Sequence, residues 1–221
     1  MRFYRIISFF GSDGTGKTTH ANLIAQYLTI KGYKIWRTSI KFHHTLSYLV
    51  TRQIVGVGKK HPYIGHYTIK NKELRRRIST PWRMLELMSL IPALIYRIFI
   101  PMLLGFTIIC DRYLIDTIVV LSCFLGDAKL PNSFFASMLL RFIPRNSLLV
   151  FLDADVDVIL HRKTDEPLSP SLINCYRKAY QYMVRVLTRY GFSVLAIDTS
   201  ATSIGDVQKI VIRTLCRRSV R

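Results

Sequence analysis

Apolar residues along this chain fall into short unbroken runs separated by longer stretches of mixed polarity. "RIISFF" (5–10) has no polar alternation, the pattern of a strand buried on both faces. Beyond a Gly-rich loop, Leu23, Ile24, Tyr27 and Leu28 recur at helical spacing, and Gly32 stands where a left-handed cap ends a helix. Four further strands are predicted in "KIWRTSI" (34–40), "FTIICD" (106–111), "SLLVFLDAD" (147–155) and "FSVLAIDTS" (192–200). Helical patterns lie between and after them: an apolar one beyond Pro81, then "NSFFASMLLRF" (132–142), "VDVILHRK" (156–163), "SLINCYRKAYQYMVRVLTRYG" (171–191) and "IGDVQKIVIRTLCRR" (204–218). Strands alternating with helices predict one α/β domain over residues 1–221, with five parallel strands and right-handed crossovers. The stretch 41–81 fits this rhythm worst. Its first part has a helical pattern, and "GKKHPYIGHYTIKNKELRRR" reads as an exposed loop.

The apolar segment 85–110 is long enough to cross a bilayer. Glu86, Arg97, Pro92, Pro101 and Gly105 interrupt it, however, so a buried helix followed by a central strand explains it better. "MRFYRIISFF" is basic and then apolar, but it leads straight into the Gly-rich loop and reads as a first strand, not a cleaved leader. Cys110, Cys123, Cys175 and Cys216 are far apart in sequence and have no C-x-x-C spacing. They read as reduced, mostly buried thiols. Half of the 221 residues are hydrophobic and a fifth charged, which excludes a disordered chain. A net charge of +19 favours polyanionic partners, although it names none and a solvated basic surface gives the same figure.

Chemistry enters at "FGSDGTGKTTH" (10–20), where Gly11, Gly16, Lys17 and Thr18 match G-x-x-x-x-G-K-[ST] between a strand and a helix. Glycines let backbone N–H groups turn inward around phosphate oxygens, and the helix N-terminus adds its positive end. Ser12, Gly14, Thr15 and Thr19 complete this nucleotide-binding loop. Lys17 would reach the β- and γ-phosphates, and Thr18 would place its hydroxyl on Mg²⁺. Asp111 ends a buried strand in "IICDRY" (108–113), the sheet edge where open α/β proteins bind ligands. Its carboxylate can hold Mg²⁺ there, and Arg112 can offer a fork to a second phosphate. The plainer alternative is a capping Asp and a surface Arg.

Arg162 and Lys163 end a helix just before "TDEPLSP", so residues 162–172 read as a short lid able to bring positive charge over the phosphates. Asp13 is unusual beside a polyanion and is expected to point away from it, toward an acceptor or a structural donor. Arg97 stands on an apolar helix, where a lone charge is expected to be paired, ligand-facing or reaching out to solvent. His43 and His44 have no acidic or Cys companions at metal spacing and read as loop or core residues.

In order and form these motifs resemble the thymidylate kinases, within the P-loop nucleoside monophosphate kinases. "GSDGTGKTTH" is similar to that family's D-G-x-G-K-[ST]-[ST] loop, "DRY" to its D-R-[YH], and "FLDADVDVILHRK" to its strand, helix and lid arginine. The likeness runs from about residue 5 to 215 and is weakest over 41–81. It implies a three-layer α/β/α sandwich with a five-stranded parallel sheet, the P-loop NTPase fold. It also implies transfer of the γ-phosphoryl of ATP to a nucleoside 5′-monophosphate, with Mg²⁺. Carried over by position, Lys17 and Thr18 serve ATP and the metal, and Asp111 the metal. Arg112 and Tyr113 lie on the acceptor side, Asp13 against the acceptor's sugar, Arg97 against its phosphate, and Arg162 in the lid.

Three departures bear on the acceptor: Phe10 stands where the family has Glu, "LIDTIVVLSCF" follows "DRY", and the lid is short and holds two prolines. Phosphate handling relies on charge and positioning, which these changes leave intact, whereas base choice relies on the pocket contacts they alter. The expected protein is a cytoplasmic ATP-dependent kinase of a dTMP-like acceptor, with a homodimer left open and no specific nucleic-acid partner. The alternatives are a kinase of a nucleoside or other small metabolite, or a non-catalytic nucleotide-binding protein at a membrane or partner surface.

Overall fold

A computed structural model describes residues 4–40, 72–163 and 169–217. Five strands form one parallel sheet: β1 (Ile6–Phe10), β2 (Ile35–Thr38), β3 (Thr107–Asp111), β4 (Ser147–Asp153) and β5 (Ser193–Asp198). Their spatial order is β2-β3-β1-β4-β5, with Ser8 opposite Cys110 on one side and Leu149 on the other. β1 and β3 are neighbours, and the chain leaves them in opposite directions, toward β2 and β4 respectively. The crevice of such a sheet opens at the carboxyl ends of those two strands.

Strand alternation divides the interior into two cores. Ile6, Phe10, Ile108, Cys110, Leu149 and Phe151 face α2 (Lys72–Leu94), α3 (Leu114–Leu125), α4 (Phe134–Leu140) and α6 (Pro170–Arg189). Ile7, Phe9, Ile109, Leu148, Val150 and Leu152 face α1 (Lys17–Ile30) and α7 (Ile204–Arg217). A short α5 (Val156–Arg162) follows β4. This is the expected three-layer α/β/α sandwich, and the expected strands are present, each trimmed by one to three residues.

The expected exposed loop ends earlier than the sequence pattern suggests. Residues 72–81 already belong to α2, which runs through Pro81 and Pro92 and continues as a π turn (Ile95–Phe99) and a last α turn (Ile100–Leu103). Residues 41–71, including His43 and His44, lie outside the described residues, as do 164–168 of the expected lid. The helix is also only half buried. Trp82, Leu90, Leu94 and Ile98 enter the core, accompanied by buried Glu86 and Ser89. On its outward side Met84, Met88, Ile91, Ile95, Tyr96, Ile100, Leu103 and Leu104 are exposed, Leu103 to 82%. Between residues 81 and 105, Arg97 is the one exposed charge. Where this face meets the sheet edge, Trp36, Tyr96, Ile100, Pro101, Leu104 and Phe106 line a shallow apolar groove of about 210 Å³.

Candidate active site

The loop between β1 and α1 is shaped by glycines whose backbone angles L side chains rarely adopt. Gly11, Gly14 and Gly16 have φ of 143°, 86° and 86°. A Cβ on Gly11 would lie 2.1 Å from the Leu152 carbonyl oxygen of the neighbouring strand, so the loop must leave β1 through a glycine. Inside the loop Thr15 is fully buried, and its hydroxyl donates to the Ser12 carbonyl at 2.9 Å. Lys17, also buried, folds over the loop with its Nζ donating to the same carbonyl at 2.5 Å and 3.6 Å from an Asp13 oxygen. Thr18 and Thr19 are exposed in the first turn of α1.

Across the crevice, the Thr18 hydroxyl donates to Asp111 Oδ2 at 2.5 Å. The other carboxylate oxygen, Oδ1, is buried and has no hydrogen-bond partner. A hydroxyl and a carboxylate with an unsatisfied buried oxygen suit Mg²⁺, which takes one or two protein oxygens and fills its remaining positions with water and phosphate. Among the described residues no group of three or more His, Cys, Asp or Glu side chains could hold a metal unaided. Thr18 and Asp111 would therefore hold such an ion jointly with a nucleotide.

The acceptor-side residues form a network that the sequence does not announce. Arg112 has a φ of 77°, in the left-handed region that side chains rarely adopt. Its guanidinium contacts the Asp13 carboxylate and lies 3.4 Å from Asp116 Oδ1. Asp13 thus meets a structural donor, Arg112, while the same oxygen stays 3.6 Å from Lys17 Nζ. Asp116 is buried, accepts from the Tyr113 N–H at 3.0 Å and from the Tyr180 hydroxyl at 2.8 Å, and caps α3. Burial pushes the Asp116 carboxyl up, while Arg112, Lys17 and these two hydrogen bonds oppose the shift. Burial also pushes the Tyr180 hydroxyl well above its ordinary range.

Tyr113, expected on the acceptor side, follows the left-handed Arg112 with its ring fully buried and its hydroxyl donating to the Phe142 carbonyl at 3.3 Å. Phe10, in the position of the family's Glu, is equally buried. Its ring stacks on Phe151 at 5.4 Å and lies 6.2 Å from that of Tyr180.

Arg97 is exposed on the π turn, and its guanidinium donates to the Ser39 carbonyl at 2.8 Å, just beyond β2. Among the described residues it has no carboxylate partner. Arg162 does not stand free over the loop. It donates to the Thr199 carbonyl at 2.9 Å and to the Gly14 carbonyl at 3.3 Å, tying α5 to the phosphate loop and to the end of β5. Two further features lay beyond sequence reasoning. His20 is buried, with its Nδ1 unpartnered and its ring within 3.5 Å of where a Gly16 Cβ would stand. Burial, aided by the Arg162 charge, holds His20 below its ordinary value. Asp153, at the end of β4, accepts a two-pronged bond from Arg177 at 2.9 and 3.2 Å and a third from Gln181. Residues separated by 24 or more positions and joined only by the sheet's topology leave no local sequence signal.

The cysteines depart from expectation as well. Cys175 and Cys216 are exposed, and the Cys175 sulfur lies 2.7 Å from that of buried Cys123.

No protein-family model matches the chain, and no curated protein does. Its structure is similar to that of a thymidylate kinase from Ehrlichia chaffeensis, with a TM-score of 0.55, 16% identity, and coverage of 96% of this chain and 98% of that one. It is similar also to a deoxyadenosine kinase from M. mycoides with bound dCTP, with a TM-score of 0.54, 17% identity, and coverage of 96% and 99%. The chain has the P-loop NTPase fold. Within that class its fold is that of the thymidylate kinase-like nucleoside kinases.

Proposed function

We propose that this protein is an ATP-dependent kinase that transfers the γ-phosphoryl group to a nucleoside 5′-monophosphate, with dTMP the first acceptor to try. The observation that carries this reading is the Thr18–Asp111 pair, 2.5 Å apart across the crevice between a complete phosphate loop and the Arg112 cluster. Bound Mg²⁺ would neutralise charge on the β- and γ-phosphate oxygens. The loop N–H groups bind the donor phosphates, and Lys17 exchanges the Ser12 carbonyl for a phosphate oxygen as the nucleotide enters. Arg97, whose charge has no carboxylate partner among the described residues, offers its remaining N–H groups to the acceptor phosphate from the β2 side. Arg112 is held between Asp13 and Asp116 and meets the acceptor with its direction already fixed. With donor and acceptor phosphates so held, catalysis would follow from positioning and charge.

A nucleoside acceptor is the second reading. It is favoured by the neutralisation of Arg112, which two carboxylates already flank, and by the deoxyadenosine kinase among the similar structures. A panel of nucleoside monophosphates and nucleosides, read by transfer of labelled γ-phosphate from ATP with and without Mg²⁺, separates the two. Phosphorylated product from a monophosphate supports the first reading, and product from nucleosides alone supports the second. ATP binding without any acceptor product overturns both and leaves a nucleotide-binding module.

A further inference from the structure

Helices α3 and α6 lie against each other, and their contact includes two sulfur atoms. Cys123, near the end of α3, is buried, and Cys175, in the second turn of α6, is exposed. Their sulfurs are 2.7 Å apart although 52 residues separate them in sequence. A disulfide needs about 2.05 Å, so the side chains have to close by well under an ångström. Cys110, inside β3, and Cys216, on α7, belong to other elements and serve as internal controls.

We propose that Cys123 and Cys175 form a redox site that closes, by exchange with a low-molecular-weight disulfide, into a cross-link between α3 and α6. The order of events follows from exposure. The Cys175 thiolate attacks one sulfur of the external disulfide, forms a mixed disulfide and releases one small thiol. Cys123 then gives up its proton and attacks the Cys175 sulfur, releasing the second small thiol. Two protein thiols are oxidised by two electrons, the external disulfide is reduced to two thiols, and the two protons leave on them. The environment favours this sequence. The hydrogen bond shared with Cys123 holds the Cys175 thiol down at about 7 against its burial, with help from the Lys178 charge. The same hydrogen bond, reinforced by burial, pushes Cys123 up. The entering thiolate is therefore the exposed one, and the resolving thiol is shielded until its partner has reacted.

The cross-link joins the two helices that carry Asp116 and Tyr180, so it clamps the hydrogen bond beneath Arg112. It also closes a long loop in the unfolded chain, which makes the oxidised form the more heat-resistant one.

The test uses the full-length protein incubated with oxidised or reduced glutathione and then blocked with iodoacetamide. The expected oxidised product has lost the mass of two hydrogens and two alkylatable thiols. A proteolytic peptide links residues 123 and 175, and Tm rises by about 5–10 °C relative to the reduced form. Cys175→Ser, an exposed replacement, removes both the link and the shift, whereas Cys216→Ser leaves both intact. Two results would overturn the proposal: a glutathione adduct that persists on Cys175 without resolution, or full alkylation of both thiols after oxidation. Because neither readout involves phosphoryl transfer, the outcome is independent of the catalytic reading.

Discussion

The phosphate loop and the outward face of α2 are built on opposite principles. In and beside the loop, buried groups are polar: Lys17, Thr15, Ser12 and His20 are shielded from water, and the backbone leaves β1 through Gly11, pressed against β4. From Met84 to Leu104 the exposed side chains of this helical segment are apolar except Arg97, while Glu86 and Ser89 are buried. Hydrophobic burial accounts for most of the second core but for neither of these surfaces. The loop holds its polar atoms on partners of its own, the Ser12 carbonyl taking both Thr15 and Lys17. The helix face leaves large side chains wet, which is uncommon at this extent on an isolated soluble domain. Charge placed inside and grease placed outside are therefore two signs of function that composition alone does not separate.

The sharpest way to break this contrast is Gly11→Ala, whose Cβ would collide with the Leu152 carbonyl. The expected outcome is loss of soluble folded protein, read by circular dichroism and expression yield. Lys17→Ala should leave the fold in place and lower phosphoryl transfer by about 10²–10³-fold, the cost of one charged donor to the transferring group. Steady-state kinetics beside a thermal melt would distinguish these two failures.

Arg97 is the one exposed charge between residues 81 and 105, and it reaches from the π turn to the Ser39 carbonyl just beyond β2. Arg97→Ala should raise the acceptor KM about 10- to 100-fold, as expected for one charged hydrogen bond, with the ATP KM unchanged. A smaller effect belongs to His20. Its folded-state pKa is lowered, so the unfolded chain binds more protons just below the ordinary value of 6.5. Its contribution to stability is thus present above that value and is lost as pH falls through the folded pKa. In His20→Asn this part of the acid-side loss should disappear from denaturant melts taken between pH 5 and 8. The smallest effect is expected on the helix face, where Met88→Gln should change stability by less than about 0.5 kcal/mol because the side chain has little burial to lose. A large loss there would show that the face is covered in solution, and sedimentation equilibrium would then test the homodimer expected from the sequence.

Most of the sheet, and the phosphate-loop half of the candidate site as a motif, were legible from the sequence because they rest on local signals. Unbroken apolar runs mark strands buried on both faces, and Gly11, Gly16, Lys17 and Thr18 state their own spacing. The acceptor half was less legible, since its geometry depends on one backbone angle. With Arg112 left-handed, Tyr113 swings into the core and Asp116, a residue without any motif, becomes the anchor. Tyr180 and Arg177 come to the site from a helix more than 60 and 20 residues downstream of their respective partners Asp116 and Asp153, and only the fold brings them there. The start of α2 was hidden for a local reason, because a basic, Pro-bearing stretch reads as a break when the stabilising contacts are tertiary.

Carboxylates gather at one end of this basic molecule. Asp13, Asp111, Asp116, Asp153, Asp155 and Asp198 all stand at or beside the carboxyl ends of the strands, out of 13 acidic residues in a chain of net charge +19. Lys17, Arg112 and Arg177 stand among these carboxylates as ion-pair partners, so nucleotide affinity there would depend on short directed hydrogen bonds more than on bulk attraction. Raising ionic strength weakens long-range attraction first, so salt should strip loosely held polyanions from the outer surface while nucleotide stays in the crevice.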